Sequence, residues 1–97
     1  MKIHLRFYGV FRAAVGSETT ELELPTPTPT VRMALSQLFT QTAYRGMKGL
    51  VFDGESTDPR STTLILVCGR EIGTLEGLDT ELKDTDEVSL LPIAHGG

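Results

Sequence analysis

Hydrophobic and polar positions alternate strictly at the start of the chain. Ile3, Leu5 and Phe7 fall on one side of residues 2–8, and Lys2, His4, Arg6 and Tyr8 on the other. A period of two marks a strand with one face buried, and Gly9 ends it. After a loop through Arg12 and Gly16 the alternation resumes over residues 19–24 and puts Leu22 and Leu24 together, so the first two strands are expected to pair antiparallel. Pro25, Pro27 and Pro29 each lack the N–H that a ladder needs, so residues 25–29 read as an extended connection. The period then changes. Val31, Ala34, Leu35, Leu38 and Phe39 stand at i, i+3, i+4, i+7 and i+8 behind the capping residue Thr30, which predicts one amphipathic helix ending near Ala43.

From Tyr44 to Ser61 the glycines 46, 49 and 54 and Pro59 interrupt any long period. That segment reads as loop, with Leu50-Val51-Phe52 a short apolar turn under the sheet. Thr63 to Cys68 is a continuous β-branched and apolar run closed by Gly69, consistent with a strand covered on both faces or with one whose outer face meets a partner. Its phase stays open. With Ile65 and Val67 toward the helix, Leu64, Leu66 and Cys68 join Leu91 in an exposed apolar patch; with the opposite phase, Ile65 and Val67 form the patch. A short strand over 70–72, a turn-rich segment holding Leu75, Leu78 and Leu82, and a strand over 87–91 follow, the last with Val88 and Leu90 opposed to Ser89 and Leu91. This order lays one main helix across one face of a mixed sheet of four to five strands, an α+β arrangement.

Ninety-seven residues with 39% hydrophobic and 23% charged side chains make one folded domain, placed at 1–92, with a flexible tail at 93–97. The net charge of −4 is spread along the chain without Lys/Arg clusters, which argues against nucleic acid and membranes and for a basic protein partner. Lys2, His4 and Arg6 interrupt any leader-like apolar run, so a cytoplasmic protein is expected. Cys68 is the only cysteine and reads as a small strand residue. Asp79, Asp84, Asp86 and Glu87 lack the spacing of a metal loop and read as a solvated face; with two histidines and one cysteine in the chain, no metal site is expected. No catalytic set of Ser-His-Asp or Cys-His type and no glycine-rich phosphate loop stands out, so the chain reads as a carrier rather than an enzyme.

Three stretches carry a family resemblance. They are the opening Ile3-His4-Leu5-Arg6-Phe7-Tyr8-Gly9-Val10-Phe11-Arg12 followed by Gly16, the segment Leu66-Val67-Cys68-Gly69-Arg70-Glu71-Ile72, and the run Leu82-Lys83-Asp84-Thr85-Asp86-Glu87-Val88-Ser89-Leu90-Leu91-Pro92 that continues without a gap into Gly96-Gly97. Together they resemble the ubiquitin-like β-grasp sulfur carriers of the molybdopterin synthase small-subunit type, and especially the small archaeal modifier proteins. The chain departs from the family at Cys68, where asparagine is usual, at Leu91, usually aromatic, at Ile93, usually proline, and at His95, usually a small residue. His95 before the glycines is also similar to the ending of the eukaryotic ubiquitin-related modifier, which acts as both sulfur donor and protein tag.

The resemblance implies a reactive Gly97 carboxylate on a thin stalk with Gly96 and His95, adenylated by an E1-like enzyme that uses ATP and magnesium. The activated carboxyl would become a thiocarboxylate for molybdopterin biosynthesis with the synthase large subunit, or would join protein lysines. No bound cofactor is implied, and the free protein is expected to be a monomer. Glycine suits the last two positions because, without a Cβ, its backbone enters a narrow channel. Residues 93–97, fully extended, reach at most ~16–18 Å. Leu64, Leu66, Leu91 and Ile93 are the expected partner-binding residues, and Lys2, Lys48 and Lys83 are acceptors on paper. The alternative is a noncatalytic ubiquitin-like binding domain with an inert tail.

Overall fold

The computed structural model describes residues 1–51 and 58–93. Strand β1 (Lys2–Phe7) buries Ile3, Leu5 and Phe7 and pairs antiparallel with β2 (Thr19–Glu23), Ile3 lying opposite Leu22 and Arg6 opposite Thr19. Helix α1 (Gly9–Val15) lies between these strands, and two further helices, α2 (Val31–Leu38) and α3 (Thr42–Val51), follow them. Strands β3 (Thr63–Val67), β4 (Arg70–Glu71) and β5 (Glu87–Pro92) complete a five-stranded sheet of order β2-β1-β5-β3-β4. The central pair β1 and β5 is parallel and the other pairings are antiparallel, so the sheet is mixed. This is the β-grasp, ubiquitin-like α+β class that the sequence predicts, with three helices among the described residues rather than one.

The core fills the space between one sheet face and the helices. Ile3, Leu5, Phe7, Leu22, Ile65, Val67, Val88 and Leu90 come from the sheet, and Val31, Ala34, Leu35 and Leu38 from α2. Thr30 caps α2 by accepting a hydrogen bond from the Met33 N–H at 3.2 Å, as expected. Three expectations need correction.

The helix that begins after Thr30 stops at Leu38, not near Ala43. The chain turns through residues 39–41, with the Thr40 hydroxyl donating to the Gln37 carbonyl at 2.6 Å, and restarts as α3, where a loop was expected. Met47 and Val51 of α3 are buried, and Tyr44 stacks at 5.7 Å from Phe7, a helical spacing that the intervening glycines disguise. Gly46 and Gly49 lie on the solvent side, where an added Cβ would meet nothing within 4 Å. In the expected apolar turn Val51 is buried and Leu50 exposed; Phe52 lies outside the described residues. The expected loop through Arg12 is α1, closed by Gly16 at φ +70° whose N–H donates to the Arg12 carbonyl. Seven residues with only Phe11 buried are too short for periodicity to register.

Candidate functional site

The register of the strands turns the outer sheet face into a grid. One row crosses all five strands: Thr19, Arg6, Ser89, Leu66, Glu71. The next row toward the C-terminal end of β5 holds Tyr8, Leu91 and Leu64, since Leu91 faces Leu64 and Tyr8 continues β1 in extended conformation with its N–H bonded to Leu90. The row on the other side holds Glu21, His4 and Glu87. The face therefore grades along the strands from apolar to charged, and its apolar end is where β5 finishes.

The open phase of β3 resolves in favour of Ile65 and Val67 inward. Both are buried, while Leu64, Leu66 and Leu91 are half-buried on the outer face and Ile93 is exposed just past β5. The structure thus brings the four predicted partner-binding residues to one region. Tyr8, which the alternation places among the polar positions, belongs with them. Tyr8, Val10, Leu50 and Ile93 are 37%, 54%, 45% and 39% exposed, large apolar or aromatic side chains that water does not favour.

The end of β5 is tied to three neighbouring elements. The Ile93 N–H donates to the Thr62 carbonyl at 2.9 Å, and the Thr62 hydroxyl donates to the Val51 carbonyl at the end of α3. On the other side Gly9, at φ +56°, lies so close to Pro92 that an added Cβ would stand 2.8 Å from the proline Cγ. The chain enters residues 94–97 from a fixed root. His95, Gly96 and Gly97 themselves lie outside the described residues.

Electrostatics on the face are uneven. Lys2 Nζ and His4 Nδ1 both approach Glu21, at 3.6 and 3.8 Å. Arg6 joins none of the ion pairs among the described residues, and its buried Nε has no hydrogen-bond partner. Its pKa lies above the ordinary arginine value, chiefly through a hydrogen bond and charge interaction with the Tyr8 side chain beside it and then the Glu87 charge, partly opposed by burial.

On the expected acidic face Asp79 and Asp84 are exposed and Asp86 and Glu87 half-buried, and the three aspartates also accept hydrogen bonds. Asp84 accepts from the Lys2 N–H at 2.9 Å, Asp86 from the Lys83 N–H at 2.8 Å, and Asp79 from Arg32 Nε at 3.4 Å. Two of these carboxylates shape the turn that holds the start of β1. Among the described residues no three His, Cys, Asp or Glu side chains gather to hold a metal, and no helix is long and apolar enough to cross a membrane. Cys68 is exposed rather than in the strand. Together with Gly69 it forms the two-residue loop between β3 and β4, both at positive φ, as a type I′ hairpin requires. A shallow depression lined by Leu24, Pro25, Met33, Ser36 and Gln37 lies at the opposite end of the sheet from the β5 terminus. Of the acceptors on paper, Lys2 is held near Glu21, while Lys48 on α3 and Lys83 at the turn are exposed.

No protein-family model matches the chain. Small archaeal modifier protein 3 of Haloferax volcanii is 32% identical over 97 residues, covering all of both chains. The crystal structure of SAMP1 from the same organism superposes with a TM-score of 0.83 at 22% identity, again over all of both chains. A Pyrococcus furiosus protein described as molybdopterin converting factor subunit 1 matches at 30% identity with a TM-score of 0.74, covering 97% of this chain and 99% of that one. The 32% identity over the full length of the first, joined to the β-grasp sheet, identifies the chain as a member of the small archaeal modifier proteins, within the ubiquitin-like sulfur-carrier family.

Proposed function

We propose that this modifier docks by the outer sheet face while Gly97 reaches into the partner's active site. The observation that carries the reading is the coincidence of the apolar end of that face with the root from which residues 94–97 leave. A free carboxylate is a poor acyl donor, because its charge repels nucleophiles and oxide is a poor leaving group. An E1-like enzyme with ATP and magnesium would convert it to an acyl-adenylate with release of pyrophosphate. A sulfur nucleophile or a lysine amine then displaces AMP, giving a thiocarboxylate for molybdopterin synthesis with the synthase large subunit or an isopeptide bond to a target. ATP and magnesium belong to the activating enzyme. The domain contributes position and affinity, consistent with relatives named as a modifier and as a converting-factor subunit.

Intact-mass spectrometry after incubation with the E1-like enzyme, ATP, magnesium and a sulfide source tests this. Exchange of one oxygen for sulfur at Gly97 is expected; an unchanged mass beside an active enzyme leaves a binding domain with an inert tail. Deleting Gly97 should abolish transfer yet leave the thermal midpoint and docking intact, whereas Leu91→Asp should weaken docking by placing a charge in a desolvated surface. Gly-Gly remnants on target lysines in cell extracts, beside molybdopterin levels in a deletion strain, separate tagging from sulfur transfer.

A further inference from the structure

Arg6 stands at the middle of the outer face, in the row between its apolar end and its charged end. Its directly opposed cross-strand neighbours on that face are Thr19 and Ser89, both small, and Tyr8 follows it two residues along the same extended chain. We propose that Arg6 selects the partner, which presents one aspartate or glutamate side chain set among apolar groups. This rests on the reading of the outer face as the docking face.

The argument is one of complementarity. Lys2 and His4, the other basic residues of β1, both have Glu21 within 4 Å, whereas Arg6 makes no ion pair among the described residues. Nε is covered without an acceptor, and the Tyr8 side chain beside the guanidinium takes up only part of its five N–H groups, which leaves capacity for an incoming carboxylate. A guanidinium fork matches a carboxylate with two parallel hydrogen bonds, a geometry that an ammonium cannot copy. Leu66 in the same row and Leu91 in the next would exclude water from that pair, raising its strength. Glu21 and Glu87, in the adjoining row, repel any acid out of register, so a single centred carboxylate is favoured and an acidic patch is not.

The probe is the E1-like adenylating enzyme of the same cell, titrated calorimetrically with the intact chain at low and high salt. Arg6→Glu and Arg6→Gln should each weaken binding about tenfold or more, with Arg6→Lys intermediate and the charge-reversal loss shrinking at high salt. Thermal midpoints close to wild type establish that these part-exposed substitutions leave the fold intact, and Arg6→Gln serves if Arg6→Glu does not fold. Changing the opposing carboxylate of the enzyme to arginine should restore binding of Arg6→Glu. Wild-type affinity in both Arg6→Glu and Arg6→Gln, with Leu91→Asp still impaired, overturns the inference while leaving the docking face. Wild-type affinity in the Leu91 variant as well removes the docking face and the inference together.

Discussion

Replacing Gly9 by alanine perturbs the root of the tail in two separable ways. At φ +56° an L side chain occupies the left-handed region, a cost of roughly 1–2 kcal/mol. The new Cβ would also stand 2.8 Å from Pro92 Cγ and 3.4 Å from Cδ. A proline ring cannot swing aside as a flexible chain end does, so backbone must shift, at a cost of about 1–3 kcal/mol. The sum, near ~3 kcal/mol, corresponds to a fall in thermal midpoint of roughly 12–24 °C for a domain of this size. Gly16 supplies the control, because it has φ +70° and open space around its Cβ position. Gly16→Ala should therefore show only the conformational part, about 1 kcal/mol after allowing for the stiffer unfolded chain. Denaturant unfolding of wild type, both single variants, Pro92→Ala and the double variant Gly9→Ala/Pro92→Ala measures the terms. The double variant should recover about 1–2 kcal/mol relative to additivity. Equal losses for Gly9→Ala and Gly16→Ala, with no coupling to Pro92, would refute the close packing argued for the root.

Gly46→Ala and Gly49→Ala, both with open space for the Cβ on the solvent side of α3, should each stabilise by about 0.4–1 kcal/mol in denaturant unfolding; a loss would mean that the glycines serve a conformation other than helix. Cys68→Asn should raise stability by about 0.5–1 kcal/mol, because asparagine tolerates the φ of +50° that the hairpin imposes, and a lower unfolding midpoint would contradict that assignment. The Asp58 carboxyl is held down to about 2 by hydrogen bonds from the Arg60 side chain and Arg60 N–H. Its folded pKa is depressed below the ordinary 3.8, so its contribution is complete above that value and disappears as pH falls through about 2. Since both side chains are about half exposed, wild type should exceed Asp58→Asn by less than about 1 kcal/mol at pH 6 and by nothing at pH 1.5; a gap unchanged by acid would assign it to packing.

The strands were legible because alternation at period two depends on the neighbouring residues alone, as in Ile3, Leu5 and Phe7 or Val88 and Leu90. The first helix of the core was legible because five apolar positions repeat behind a cap. What failed was of two physical kinds. In α3 the apolar stripe of Tyr44, Met47 and Val51 is intact, but exposed glycines at 46 and 49 lower helix propensity by about 1 kcal/mol each, and tertiary burial overrides that weakness. The phase of β3 could not be read because Leu64, Ile65, Leu66 and Val67 are all apolar, and only the pairing of Ile65 with Leu90 over the core decides it.

The candidate site divides the same way. Leu64, Leu66, Leu91 and Ile93 were recoverable as apolar residues on strands near the end of the chain, whereas Tyr8 and Arg6 were visible only as outward positions of β1. Their significance needs the parallel pairing of β1 with β5, which sets Tyr8 beside Leu91 and Arg6 beside Ser89 although 83 residues separate each pair in sequence. A helix too short to read, α1, then begins at Gly9 against Pro92 and packs on the end of β5. The end of β5 and the proposed docking face thus share one strand pair. A substitution that loosens the Gly9–Pro92 approach should lower the rate of Gly97 transfer more than it lowers affinity, because the outer-face contacts survive while the carboxyl is delivered over a wider range of directions.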